Sequence, residues 1–304
     1  MPETMAMEDN KKISCVIVNY NDSDTTEKQI RRIYRYKTLD AVVVVDNCST
    51  DGSADRLTKL AAQLDPEKIM VLTADKNGGY GAGNNKGIEY SYEVLQMDYV
   101  LIANPDVEFS EELPARLAHL FERHPDLGAA SALMEDETFG NGRNGWPLLG
   151  LLGEVLRTGP VCRRLFSRFL EYSPKYYEGK KAVYVDAVHG SLLMVDAVKM
   201  IECGEYDEQV FLYNEEEILG WRMLERGYRT VLLLTDSYVH RHSESISKTY
   251  KKIWERQKLR NQSALYYYRH YLGMNRIQEG AVRLFFLGVH LEIWFCSSVL
   301  RMKW

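Results

Sequence analysis

Three carboxylates stand in a row at Glu215, Glu216 and Glu217, directly behind the run Phe211-Leu212-Tyr213-Asn214. Earlier in the chain, Ile102-Ala103-Asn104-Pro105-Asp106-Val107 ends an apolar stretch in a lone carboxylate. A carboxylate at a strand end can hold a hard cation beside a diphosphate, and a second can take a proton from an attacking hydroxyl. Divided in this way, the two jobs are those of group transfer from a nucleotide diphosphate. On a helix start, three successive side chains project about 100° apart, so only one or two of the glutamates face any one pocket. Acids at such a position also simply favour a helix N-terminus.

Three further segments carry residue types suited to the same chemistry. In Val43-Val44-Val45-Asp46-Asn47-Cys48-Ser49-Thr50-Asp51-Gly52-Ser53 a strand opens into a polar turn, where a carboxylate can accept from a base-ring N–H. Asp51 or Ser53 can equally cap the next helix. Asn77 through Gly87 is rich in glycine and asparagine and leads into a helix, so its backbone can approach an anionic ligand closely. It is neither a Walker loop nor a Rossmann fingerprint, and a flexible connection is its ordinary reading. Val239-His240-Arg241-His242 follows a strand. His240 can complete a metal site with Asp106, and Arg241 can pair with phosphate. Asn104-Pro105-Asp106 is also what an ordinary strand-ending turn contains.

These segments need elements to hold them. Ile13 to Val18, Ala41 to Val45, Ile69 to Leu72 and Tyr99 to Ile102 read as buried strands, with a fifth over Gly128 to Leu133. Helical patterns cover Thr25 to Tyr36, Ala54 to Leu64, Asn84 to Leu95 and Glu111 to Arg123. Such alternation predicts an α/β fold with a mostly parallel sheet, helices on both faces, and ligands beyond the carboxyl ends of the strands. Asn19, Asn21, Asp46, Asn47, Asn77, Gly78, Asn104 and Asp106 follow those ends. Glu135 to Lys181 reads as a long connection interrupted by Gly and Pro, with a short helix near Leu165 to Leu170. Strands over Val183 to Val188, Ser191 to Val195 and Thr230 to Leu234 follow, with helices near Ala197 to Ile201, Glu215 to Glu225 and Ile253 to Tyr271.

Gly280 to Trp304 is nearly all apolar, but its Leu284 to Leu300 stretch contains His290 and Glu292 and falls short of a comfortable membrane span. At helical spacing Glu279, Arg283, His290, Ser297 and Arg301 share one narrow face, with Leu284, Phe285, Leu287, Leu291 and Phe295 over much of the rest. That pattern suits a helix in a membrane interface, one packed on the domain, or a homodimer contact.

The 304 residues, 45% of them hydrophobic, suffice for a full core. A net charge of -5 provides no basic field for nucleic acid, which is excluded as a partner. Five scattered cysteines without CxxC spacing argue against a zinc site or a disulfide framework, and a reducing cytosol is expected. Met1 to Lys12 is polar and carries no apolar signal-peptide core.

In this order, the motifs resemble the inverting family-two glycosyltransferases of GT-A fold, in particular their bacterial rhamnosyltransferase-like branch. Val16-Ile17-Val18-Asn19-Tyr20-Asn21 resembles the opening strand, Val45 to Ser53 the nucleotide-binding turn, Asn77 to Gly87 the Asn-x-Gly loop, and Asn104-Pro105-Asp106 a modified metal motif. The resemblance runs from Ile13 to about Gly273. It implies a domain over 1–273, divided into a nucleotide-binding half (12–135), a variable connection (136–181) and an acceptor half (182–273), with a C-terminal amphipathic helix over 274–304. It implies donor contacts at Asn19, Asn21, Asp46, Asn47, Asn77, Gly78, Asn85, Asn104 and Asp106, with Asp46 at the base. Asp106 and His240 would hold Mn²⁺ or Mg²⁺. Gly204 to Glu216 is similar to the segment ending in the family's acidic pair, so the base falls on Glu216, with Glu215 and Glu217 as alternatives. The implied donor is dTDP-rhamnose, with UDP-sugars next. The acceptor is a glycan or lipid-linked hydroxyl in surface polysaccharide synthesis, reached at the inner face of the cytoplasmic membrane. Two other readings remain: a catalytically silent sugar-nucleotide-binding partner, and a nucleotidyltransferase, which would need a basic Gly-rich loop after the first strand.

Overall fold

The computed structural model describes residues 11–136, 140–142, 144–241 and 253–298. Runs of Val and Ile buried on both faces form strands, and the intervening segments with apolar residues at helical spacing form the helices that cover them. The elements are β1 (Ile13–Asn19), α1 (Ser23–Ile33), β2 (Ala41–Asp46), α2 (Ser53–Leu64), β3 (Ile69–Thr73), α3 (Gly79–Glu89), β4 (Tyr99–Ala103), β5 (Val107–Glu108), α4 (Leu113–Arg123) and β6 (Leu127–Asp136). Then come β7 (Gly140–Gly142), β8 (Gly145–Trp146), α5 (Leu151–Thr158), α6 (Pro160–Leu165), α7 (Ser167–Leu170), α8 (Pro174–Tyr177), β9 (Ala182–Val185), β10 (Ala187–Val188) and β11 (Leu192–Asp196). The chain continues through α9 (Ala197–Glu202), α10 (Glu215–Glu225), β12 (Arg229–His240), α11 (Ile253–His270) and α12 (Arg276–Ser298).

The main sheet runs β3-β2-β1-β4-β11-β6-β12-β5. Its first four strands are parallel, β11 lies antiparallel between β4 and β6, and β6 pairs parallel with β12. Successive residues feed opposite cores: Cys15 and Ile17 meet Ile30, Leu57 and Leu117, while Val16 meets Ile88, Met200 and Leu219. A third core joins Val155 of α5, Ile218 of α10, Tyr267 of α11 and Phe286 of α12.

Two details of this sheet position the site. Leu192 at the start of β11 pairs with Ala103 at the end of β4, so the turn before β11 lies over the carboxyl end of β4. Position 220 can only be glycine-sized, because a Cβ there would strike the Asp186 carbonyl; this lets α10 lie close on the turn between β9 and β10.

Three expectations change. The connection over 135–181 is not mainly irregular. It holds four short helices, because residues read as breaks are helix boundaries: Gly150 and Gly159 precede α5 and α6, and Pro160 and Pro174 occupy first-turn positions of α6 and α8. The helix expected from Asn84 begins at Gly79 and ends in a π turn over Tyr90–Val94, since packing on β1 and β2 overrides the poor helix propensity of glycine. The strand expected to end at Leu234 continues to His240 through a register shift between Leu233 and Ser237, which hid its alternation. The C-terminal helix packs through Val282, Phe286, Val289 and Ile293, while Leu284, Leu287, Leu291 and Phe295 face outward. His242, the serines Ser243 and Ser245 that follow it, and residues 299–304 lie outside the described residues.

Candidate active site

The strand ends of the first half form a tightly bonded floor. Asn19 Nδ2 donates to Asp46 Oδ2 at 2.8 Å, Thr26 Oγ1 donates to Asn19 Oδ1 at 2.8 Å, and the Ser49 amide donates to Asp46 Oδ1 at 2.8 Å. Asp46 is therefore fully buried, and both its oxygens are given to the turn. Asn21, in the left-handed region at φ 51°, accepts from the Thr50 amide at 2.8 Å and closes the other side. Asp51 precedes Gly52, the N-cap of α2, and its Oδ1 accepts from the Ser53 amide at 3.0 Å.

Asn47 ties this floor to the glycine-rich loop. Its Nδ2 donates to Asn77 Oδ1 at 3.1 Å and to the Gly79 carbonyl at 2.9 Å. Its Oδ1 is buried with no hydrogen-bond partner among the described residues, a condition that costs about 1–3 kcal/mol unless a ligand donor relieves it. Asn77 Oδ1 also accepts from the Gly79 amide at 3.0 Å, bracing Gly78 between them. Gly79 has φ +91°, and a Cβ there would strike the Phe211 carbonyl, so only glycine brings this loop against the segment leading to the three glutamates. Asn85 sits deeper: it donates to the Tyr206 carbonyl at 2.9 Å and accepts from the Tyr206 amide at 3.0 Å, bracing α3 against the same segment.

At the end of β4, the Asn104 amide donates to the Ser191 carbonyl at 2.8 Å. The turn then hands Val107 to β12, where it pairs with His240. That register places Asp106 Oδ1 3.4 Å from His240 Nε2, with both side chains nearly buried. Among the described residues no group of three or more His, Cys, Asp or Glu is arranged to hold a metal. The Asp106–His240 pair could nevertheless supply two ligands to a hard divalent cation, which would need further oxygen ligands from a donor or water to complete its shell. Arg241 follows His240 at the end of β12. It is turned onto Glu108, with Nε 2.5 Å from Oε1, and Glu108 also receives Arg32.

The turn His189-Gly190-Ser191, not singled out from the sequence, joins the two halves of the site. The His189 ring lies 5.6 Å from that of His240. His189 Nδ1 accepts from the Ser191 amide at 3.1 Å, which leaves the proton of the neutral ring on Nε2. The Gly190 amide donates to Glu216 Oε1 at 3.1 Å, and the Gly190 carbonyl accepts from Tyr80 Oη at 2.5 Å. The available signal was a titratable residue and a glycine caught between two strand patterns.

The three glutamates are not equivalent. Glu215 and Glu217 are 7% and 9% exposed, whereas Glu216 keeps greater access to solvent. Glu217 Oε1 is occupied by Trp146 Nε1 at 3.1 Å. Glu215 Oε2 is buried without a hydrogen-bond partner among the described residues. Burial raises all three, and for Glu215 and Glu217 the neighbouring Glu216 charge adds to it. Two left-handed residues, Tyr213 at φ 70° and Asn214 at φ 65°, start the helix that carries them. Arg260 over the Tyr213 ring at 4.7 Å and Ser263 Oγ donating to the Leu212 carbonyl at 2.6 Å hold that strained turn from α11.

Behind Glu217, Glu154 is pushed up to about 7 by burial, against the opposing pull of Arg157 at 3.1 Å. A carboxyl raised in the folded state holds its proton more tightly there than in the unfolded chain. Its contribution is therefore intact below the ordinary value of 4.5 and is lost as pH rises through about 7. For Glu154 the loss by about pH 8 is on the order of 3 kcal/mol. The urea midpoint is accordingly expected to fall between about pH 5 and pH 8, and Glu154→Gln to shrink that fall whatever its overall cost. An unchanged difference in the variant would remove Glu154 from this account.

The fold is of the GT-A type, with its polar turns gathered at the strand ends. Residues 14–177 match glycosyl transferase family 2, and the chain belongs to that family. Over 207 residues it is 27% identical to the low-salt glycan biosynthesis hexosyltransferase Agl10 of Haloferax volcanii, an alignment covering 67% of this chain and 59% of that protein. The chain thus spans about three fifths of the length of that relative. Over 223 residues it is 26% identical to the N-acetylglucosaminyl-diphospho-decaprenol L-rhamnosyltransferase of Mycobacterium tuberculosis, covering 68% of each. The mannosyltransferase PcManGT of Pyrobaculum calidifontis, solved with GDP-Man and Mn²⁺, matches with a TM-score of 0.60 at 13% identity, over 95% of this chain and 75% of that one. At that identity the likeness concerns the fold alone.

Proposed function

We propose that this chain transfers a sugar from a nucleotide-diphosphate donor to a hydroxyl of a glycan or lipid-linked acceptor, with inversion at the anomeric carbon. The observation that carries the reading is the His189-Gly190-Ser191 turn, which bonds Glu216 through its central amide and sets His189 beside the Asp106–His240 pair. Asp46 and Asn19 shape the turn that meets the base. Asn21, Asn47, Asn77, Gly78 and Asn104 edge the donor, and Asn85 braces the loop behind it. The orphaned Asn47 Oδ1 supports a ligand donor there.

Asp106 and His240 would hold a divalent cation, Mn²⁺ or Mg²⁺, which neutralises charge on the departing diphosphate when bound. Glu216 accepts the acceptor hydroxyl's proton as that oxygen attacks the anomeric carbon opposite the diphosphate. The C–O bond to the diphosphate breaks in the same displacement. Glu215 and Glu217, buried beside it, fix the helix start rather than compete for the proton. dTDP-rhamnose is the leading donor and UDP-sugars the next, supported by the rhamnosyltransferase and hexosyltransferase names of the relatives. A polyprenol-linked acceptor is supported in the same way and would put the reaction at a membrane surface.

The testing experiment is a thermal-shift panel of dTDP-, UDP- and GDP-sugars, each with Mn²⁺, Mg²⁺ or EDTA. Stabilisation by one nucleotide class, enhanced by metal, is expected. No shift with any donor would overturn the site as drawn.

A further inference from the structure

Among the described residues no helix is long and apolar enough to cross a membrane. Yet α12 carries two apolar faces where a helix packed on a domain needs one. At about 100° per residue, the buried Val282, Phe286, Val289 and Ile293 form one narrow stripe, and Leu284, Leu287, Leu291, Trp294 and Phe295 fall on the opposite side. Leu284 and Leu291 are 70% and 68% exposed. Only Gly288 interrupts this outward face between Leu284 and Phe295; the polar residues of that span, His290 and Glu292, lie to its sides.

The outward face does not end at α12. A side chain at Gly159 would touch Phe285 Cζ and Val289 Cγ2, each at 3.4 Å, and the Val161 amide donates to Glu292 Oε2 at 3.4 Å, so α6 lies along the flank of α12. From there α6 and α7 present Leu165, 71% exposed, Phe166, and Phe169, 79% exposed. Between these apolar residues stand Arg163, Arg164 and Arg168, all exposed, with Arg163 3.9 Å from Glu171.

We propose that the outward face of α12, together with Leu165, Phe169 and the arginines of α6 and α7, docks this protein on an anionic lipid bilayer. Exposed leucines and aromatics reach the acyl boundary while interleaved arginines meet headgroup phosphates, the division of labour of an in-plane membrane helix. Charge selects this occupant. The chain as a whole is acidic, at -5, yet this rim is basic, and a second copy would present the same arginines where a lipid surface supplies the opposite sign.

Flotation of the full chain with vesicles tests the proposal, comparing phosphatidylcholine alone with equal parts phosphatidylcholine and phosphatidylglycerol. Neither donor nor acceptor is present, so the outcome stands apart from the transferase reading. The chain is expected to float with the anionic vesicles and remain behind with the neutral ones. Leu287→Glu with Leu291→Glu should lower the bound fraction about tenfold, and Arg164→Glu with Arg168→Glu should abolish the preference for phosphatidylglycerol. All four positions are exposed, and an unchanged melting temperature in each double variant checks the fold. Absence of anionic binding in the parent chain, or full binding in both variants, would overturn the proposal. So would a dimer, seen by light scattering, that the leucine double variant dissociates, because the face would then belong to a second copy.

Discussion

Glu216→Gln is expected to lower the rate of sugar transfer by about 10² to 10⁴-fold, the usual contribution of a positioned general base, with donor affinity left nearly unchanged. Gln keeps the shape and can still accept from the Gly190 amide that holds Glu216 Oε1 at 3.1 Å, so the turn and the helix start remain in place. What the variant loses is the ability to carry away a proton. The neighbours cannot substitute, since Glu217 is engaged by Trp146 and Glu215 is buried. The measurement is single-turnover transfer at saturating donor, alongside thermal shift by donor alone. Transfer at the parent rate would mean that Glu216 is not the base, and Glu215→Gln and Glu217→Gln would then be assayed in turn.

The second large effect is expected at Asp106. Asp106→Ala should weaken metal-supported donor binding roughly 100-fold, because the cation proposed at Asp106 and His240 would lose one of the two ligands found for it among the described residues. Donor affinity in EDTA should hardly differ between variant and parent, since the floor of Asn19, Asp46 and Asn47 does not depend on the cation. Isothermal titration with donor in Mn²⁺ and in EDTA separates the two. Equal parental affinity in both conditions would remove the cation from donor binding altogether. The backbone N–H of residue 104, which any residue but proline would supply, donates to the Ser191 carbonyl and aligns the end of β4 with the turn that precedes β11.

Much of this arrangement was legible in residue types. Strand ends rich in Asn and Asp located the carboxyl edge of the sheet, and Glu215–Glu225 was readable as one helix because its acids open it and its apolar residues follow at helical spacing. Which glutamate faces the site was not legible, for it depends on the left-handed pair Tyr213-Asn214, which sets the rotation of the helix about its axis. Nor was the partner of Asp46: a carboxylate at a strand end looks the same whether it points to a ligand or inward to Asn19 and the Ser49 amide. His189 escaped notice because its importance comes from β11 pairing antiparallel with β4, a long-range register with no local pattern. The four helices within 135–181 were obscured by glycines and prolines that punctuate short helices as readily as they interrupt long ones.

Gly190 is where these threads cross. Its carbonyl takes the Tyr80 hydroxyl from the glycine-rich helix, its amide supports Glu216, and the ring of the preceding residue lies tilted beside that of His240. A Cβ at that point would sit 3.1 Å from Tyr80 Oη and 3.2 Å from Glu216 Oε1. Two successive peptide units, the 189–190 amide and the 190–191 carbonyl, therefore tie Tyr80 to Glu216 through one residue, and any side chain at 190 would press on both ends of that tie at once.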